Sequence, residues 1–166
     1  MIDVMLYAVA VQVATALLPY VGLCPGQIAS TKWQIAAPSA QQLAVIRQAA
    51  ERNDPVAQTN LGCAYETGQF GATDYYTAAI WYRKAAEQGT AEAQFHLAKL
   101  FYNGRGVIAD FVESYKWLIL ATTLGPPEQR PFFAAQRDWL SHRMDDERRT
   151  AGQRQATEWL AQFRSR

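Results

Sequence analysis

Apolar side chains recur at i, i+4, i+7 and i+8 in two windows of the chain: Ala57, Leu61, Ala64 and Tyr65, then Ala93, Leu97, Leu100 and Phe101. That spacing sets one face of an α-helix, so helices are predicted over about 55–67 and 91–102. Gly68 and Gly104 stand where these helices should end, and Asp74 and Asp110 stand where a following helix needs an N-cap. A second apolar stripe follows each Asp: Ala78, Trp81 and Ala85, then Ser114, Trp117 and Ala121. Small residues one turn either side of a Trp let two helices approach while the ring fills the space between them. Each window is therefore a helical hairpin, with Trp81 and Trp117 expected to be equivalent core residues.

The two hairpins are copies at a fixed offset of 36 residues without a gap. Identical pairs are Ala57/Ala93, Gln58/Gln94, Leu61/Leu97, Gly68/Gly104, Asp74/Asp110, Trp81/Trp117, Ala85/Ala121 and Gly89/Gly125, and Tyr65/Phe101, Gly62/Ala98, Ala78/Ser114 and Tyr75/Phe111 are conservative pairs. A period of this length marks stacked supersecondary units. The copying extends upstream. Arg47-Gln-Ala-Ala-Glu51 precedes Arg83-Lys-Ala-Ala-Glu87 by the same offset, and Asn53 falls where Gly89 and Gly125 lie, all three being residue types that tolerate a left-handed helix end. Ser39 and Gln42 fit a capping box for this half-repeat helix, whose apolar face is Leu43, Val45, Ile46 and Ala49. Beyond Gly125-Pro126-Pro127 the period fades but the helical pattern continues. Phe132, Phe133, Gln136, Trp139, Leu140 and Arg143 predict a helix ending near Met144. Asp145 can cap a last helix carrying Ala151, Ala156, Trp159, Leu160 and Phe163. An array needs an atypical unit to cover its open end, and this pair is expected to be that cap.

Residues 4–23 carry no charge, and a stretch of that length near the start makes 1–24 a signal peptide or a membrane anchor, the remaining alternative being a buried N-terminus. Residues 25–38, bounded by prolines and without a period, suit a linker. Removal of the apolar stretch together with Cys24 would leave Cys63 alone, with no disulfide framework. Charge is nearly balanced, at 16 Lys+Arg against 15 Asp+Glu. The arginines that thicken after Arg130 are interleaved with Asp138, Asp145, Asp146, Glu147 and Glu158. Without a stripe of one sign this is a solvated face with local ion pairs, and no nucleic-acid partner is expected.

These motifs resemble Sel1-like repeats, relatives of tetratricopeptide repeats. The resemblance is carried by Trp81-Tyr-Arg-Lys-Ala-Ala-Glu-Gln-Gly89, then Ala91-Glu-Ala-Gln94, Leu97, Phe101, Gly104-Arg-Gly-Val107, Asp110 and Trp117-Leu118. The first repeat departs in its loop, with Phe70 and Gly71 standing where Gly106 and Val107 stand in the second. The resemblance implies an all-α, right-handed α-solenoid of Sel1-like, tetratricopeptide-like hairpins with a C-terminal capping helix pair. The expected organisation is a half-repeat at 40–53, repeats at 54–89 and 90–125, and a cap at 128–163. It further implies a scaffold or adaptor for a protein partner, periplasmic or secreted, or held at the inner membrane by residues 4–23 if these are retained. Tetratricopeptide geometry would place Glu92, Phe95, Lys99, Tyr102 and Asn103 on the concave face, with Val56, Thr59, Cys63 and Glu66 as their counterparts in the first repeat. Positions 92, 95, 99 and 102 also share one helical stripe. Phe95 and Tyr102 either offer a recognition surface there or pack on the next hairpin.

Catalytic chemistry is sparse. His96 and His142 are the only histidines and belong to different units. His96 takes the position of Asn60 one repeat earlier, which points to a polar helix surface. No zinc spacing or phosphate-binding glycine loop is present, and no cofactor or metal is expected. Gly104-Arg-Gly106 is read as a hairpin turn, and Asp145-Asp146 as helix-start residues. A Cys63–His96 nucleophile pair would lack an orienting third group. The alternatives to an adaptor are a hydrolase of the cysteine-rich, β-lactamase-like Sel1 type, which this cysteine-poor chain matches badly, and a structural stabiliser of a larger complex.

Overall fold

The computed structural model describes residues 39–166, and the expected signal or anchor and the linker lie outside them. Seven helices and no strand occur among the described residues: α1 (Ala40–Glu51), α2 (Pro55–Glu66), α3 (Tyr75–Glu87), α4 (Ala91–Asn103), α5 (Phe111–Leu124), α6 (Arg130–Ser141) and α7 (Asp146–Arg164). None of these is long and apolar enough to cross a membrane.

The helix starts follow the local chemistry. Ser39 and Gln42 form the reciprocal capping box, at 3.2 and 2.7 Å. Asp54, Asp74, Asp110 and Asp145 each accept backbone N–H groups in the first turn of the next helix. Each such cap is worth about 1 kcal/mol. The helix ends divide differently. Asn53 and Gly89 take positive φ, at 69° and 88°, but Gly125 does not. It is extended (φ −63°, ψ 154°) because Pro126 follows, and a residue before proline is pushed to extended backbone. A side chain there would still fail, since a Cβ would lie 2.6 Å from the Ala121 carbonyl oxygen.

Consecutive helices pack on one another from α1 through α6. The first helices of the hairpins, α2 and α4, are joined by α6, whose side chains meet those of α4. One continuous core runs from Cys63 and Tyr82 to Leu140 and Ala156, and a smaller one gathers Ile46, Ala50, Ala57 and Leu61 beneath Trp81. The two tryptophans differ. Trp117 is buried and meets Trp159 edge to face at 6.2 Å, whereas Trp81 is only half-buried, with the Lys84 ammonium 4.2 Å above its ring. The cause is α7, which lies along α5 and covers the Trp117 ring. Gly152 of α7 sits against Tyr115 and the Val112 carbonyl, and Phe163 near its end reaches Gly89, beyond α3. The last helix thus touches parts of both hairpins.

The two hairpin loops have distinct structures. Gly106 (φ +69°) lies so close to the start of α3 that a Cβ would fall 2.2 Å from the Tyr75 carbonyl carbon and oxygen. Arg105 adds its guanidinium over the Tyr75 ring at 5.2 Å. The second loop therefore seats itself on the first repeat. Phe70, its counterpart, packs at 4.6 Å on Tyr65 and under Arg47. A large side chain fills a site that the second repeat closes with backbone.

A cleft along the first helices

Glu66, at the end of α2, is the best-connected side chain on this side of the array. Its Oε2 accepts from the Tyr82 hydroxyl at 2.6 Å and lies 3.2 Å from His96 Nδ1, while Lys99 Nζ is 3.5 Å from Oε1. Burial alone would raise the carboxyl's pKa. The hydrogen bonds from His96 and Tyr82, with the charges of His96 and Lys99, outweigh that and hold it at about 2. Burial first, then the charge and hydrogen bond of Glu66 and the charge of Glu92, push the Tyr82 hydroxyl well above its ordinary value. His96 is buried and stacked on Tyr82 at 4.9 Å. The expectation of a helix-surface histidine is thus corrected: position 96 faces the joint between repeats, and Asn60 at the matching position is buried too. Carboxylate, phenol and imidazole here tie α2, α3 and α4 together.

The other expected partner-binding residues separate by exposure. Val56, Lys99 and Asn103 are exposed, and Glu92, Phe95 and Tyr102 are half-buried. Thr59 and Cys63 are 2% and 0% exposed, so neither presents a surface. Thr59 donates its hydroxyl to the Pro55 carbonyl within its own helix. Cys63 is not a free thiol, which removes the Cys63–His96 nucleophile pair. Asn103 donates to the Lys99 carbonyl. Phe95 and Tyr102 do pack on the next helical unit, Phe95 against Phe132 and Phe133 at 5.1 and 5.6 Å and Tyr102 against Trp139 at 5.3 Å, while Tyr102 also stacks on Phe111 of its own hairpin at 5.3 Å.

That packing does not close the surface. Phe132 and Trp139 of α6 remain 48% and 43% exposed, Trp139 lining a cleft between α4 and α6 and Phe132 packed on its Phe95 wall. Its walls include Phe95, Lys99, Tyr102, Gln136 and Trp139, with Ser114 and Leu118 at the floor. Lys99 lies 5.9 Å from the Phe95 ring centroid, and Arg143 stacks over Trp139 at 3.8 Å. Phe132, Gln136 and Trp139 were legible as one helix face but not as a surface, because periodicity cannot tell which part of an apolar face a neighbour leaves uncovered. Among the described residues no group of three or more His, Cys, Asp or Glu could hold a metal ion.

The Sel1 repeat family matches the chain twice, at residues 55–90 and 91–126, in register with the two hairpins. The hairpins are Sel1 repeats. A sel1-like repeat-containing protein of Acanthamoeba polyphaga mimivirus, L21, is 36% identical over 59 residues, covering 36% of this chain and 11% of its own length. Among solved structures, the protective antigen c5321 of uropathogenic Escherichia coli, with an SLR fold, aligns at TM-score 0.68 and 29% identity over 74% of this chain and 26% of its own. A Sel1 repeat protein from Oxalobacter formigenes aligns at TM-score 0.56 and 26% identity over 72% of this chain and 49% of its own. The chain thus spans about a tenth of the curated relative and a quarter to a half of the solved ones. Sel1 repeat proteins generally mediate protein–protein interaction, and their solenoids are typically non-catalytic scaffolds.

Proposed function

We propose that this Sel1-like chain is an adaptor that binds a protein partner along its first-helix side, the side that tetratricopeptide geometry makes concave. The observation that carries this reading is the pair Phe132 and Trp139. Two large aromatic rings stay half in solvent beside a cleft already walled by Phe95 and Tyr102, and aromatic side chains of this kind dominate the energetics of protein interfaces. Glu92, Lys99, Asn103, Val56 and Glu66 supply the polar and apolar rim. Work in the cell envelope, periplasmic, secreted or anchored by residues 4–23, belongs to the same proposal and rests on that apolar stretch alone. Cross-linking of the full chain in its native cells tests the binding reading. Partners recovered with the wild type should be lost with the Phe132→Ala/Trp139→Ala double variant. Equal recovery would move the binding face elsewhere and favour a structural stabiliser bound through the opposite side or the ends.

A further inference from the structure

We propose that the α4–α6 cleft holds a peptide segment of the partner in which an apolar side chain is flanked by carboxylates, one of them taking Lys99. This deepens the adaptor reading and rests on it. The apolar part follows from the walls: Phe95, Tyr102 and Trp139 line a slot whose outer rings are only partly covered.

The acidic part follows from which charges are free. Lys99 is 45% exposed at the cleft wall, and its one ionic contact among the described residues is the long 3.5 Å approach to Glu66. Glu66 is held more closely at its other oxygen, by Tyr82 at 2.6 Å and His96 at 3.2 Å. The ammonium can therefore turn to a ligand carboxylate by giving up one long contact, while the two shorter contacts of Glu66 stay in place. At the other end Arg143 is exposed and stacked on Trp139, its guanidinium hydrogen-bonded only to the Trp139 carbonyl among the described residues. Asp138, the nearest acid in sequence on α6, is engaged by Arg137 at 2.7 Å. The slot thus carries available cations beside apolar walls, and no Asp or Glu is among the described residues that line it. A partner with flanking carboxylates complements that arrangement, and a basic one would meet like charge.

A random-peptide display library sorted on the full chain tests this. The enriched pool should combine an aromatic or branched aliphatic residue with neighbouring Asp or Glu. Its affinity should fall by about tenfold in Lys99→Glu, should also fall in Lys99→Met, which sets no second carboxylate beside Glu66, and should weaken as salt is raised. A pool of basic or uncharged peptides, a pool that binds Lys99→Glu as well as wild type, or no enrichment would overturn the proposal. Hydrogen exchange separates the two levels. If a cross-linked partner protects α4 and α6 while the pool is not acidic, only the carboxylate assignment falls. If nothing protects these helices, the adaptor face falls with it.

Discussion

Gln58 and Gln94, one repeat apart, each donate a side-chain amide to the carbonyl eight residues upstream: Gln58 to Ala50 at 3.2 Å, Gln94 to Ala86 at 3.1 Å. Both are buried at the start of a first helix and fasten it to the last turn of the helix before. The repeated Gln thereby satisfies a carbonyl near a helix end that would otherwise have fewer partners in the interior.

The two glutamines should not be equally costly to replace. Gln58 Oε1 accepts from Gln88 at 2.7 Å, whereas Gln94 Oε1 is buried without a partner. At the place of Gln88 the second repeat has Leu124. Gln58→Met should cost about 1–3 kcal/mol, because it removes the short hydrogen bond from Gln88 as well as the one to the Ala50 carbonyl, and Gln94→Met should cost less because it also removes an unmet acceptor. Urea titration of both variants reads the difference; a larger loss at Gln94 would contradict it.

Trp117→Ala should cost about 3–5 kcal/mol and Trp81→Ala less than half of that. Burial decides the order, since α7 covers the Trp117 ring and leaves the Trp81 ring with Lys84 and solvent. Equal losses in thermal or urea unfolding would restore the equivalence that the repeat alone suggests.

Gly106→Ala should destabilise the joint between repeats, through roughly 1–2 kcal/mol of left-handed strain and the further cost of moving the loop off Tyr75. Gly71→Ala meets no atom within 4 Å and carries only the strain of its own φ, +114°. Melting temperatures should therefore fall further for Gly106→Ala. Hydrogen exchange in that variant should rise at the start of α3.

Glu66 makes a contribution to stability that depends on pH. Its folded pKa, about 2, lies below the ordinary 4.5, so the contribution is complete above pH 4.5 and disappears as pH falls toward 2. The stability gap between wild type and Glu66→Gln should be largest above pH 4.5 and should close below it. Paired urea titrations across that range provide the check, and a gap independent of pH would show that the carboxylate's charge is not what matters.

The hairpins could be read from the sequence because they rest on local rules: Asp caps, a period near 3.6, and a Trp between alanines. What could not be read depends on meetings between distant segments. Nothing near His96 in sequence shows that Glu66 and Tyr82 converge on it. The offset pairs Gly125 with Gly89, but the neighbouring Pro126 decides its backbone. Phe70 breaks the loop pattern because its loop has Tyr65 and Arg47 to rest on where Gly106 has the backbone of Tyr75. The cleft was half legible: Phe95, Lys99 and Tyr102 came from the wheel of α4, but its other wall on α6 lies outside the repeat.

The reach of α7 to Gly89 sets an order of assembly. Each hairpin closes through contacts near in sequence and can form quickly, whereas α7 must bring Phe163 back across two whole units. Contact order makes docking of α7 the step expected to be slow, and before it the Trp117 ring would lack its cover from Trp159. During that interval the chain is most prone to stick to other copies of itself.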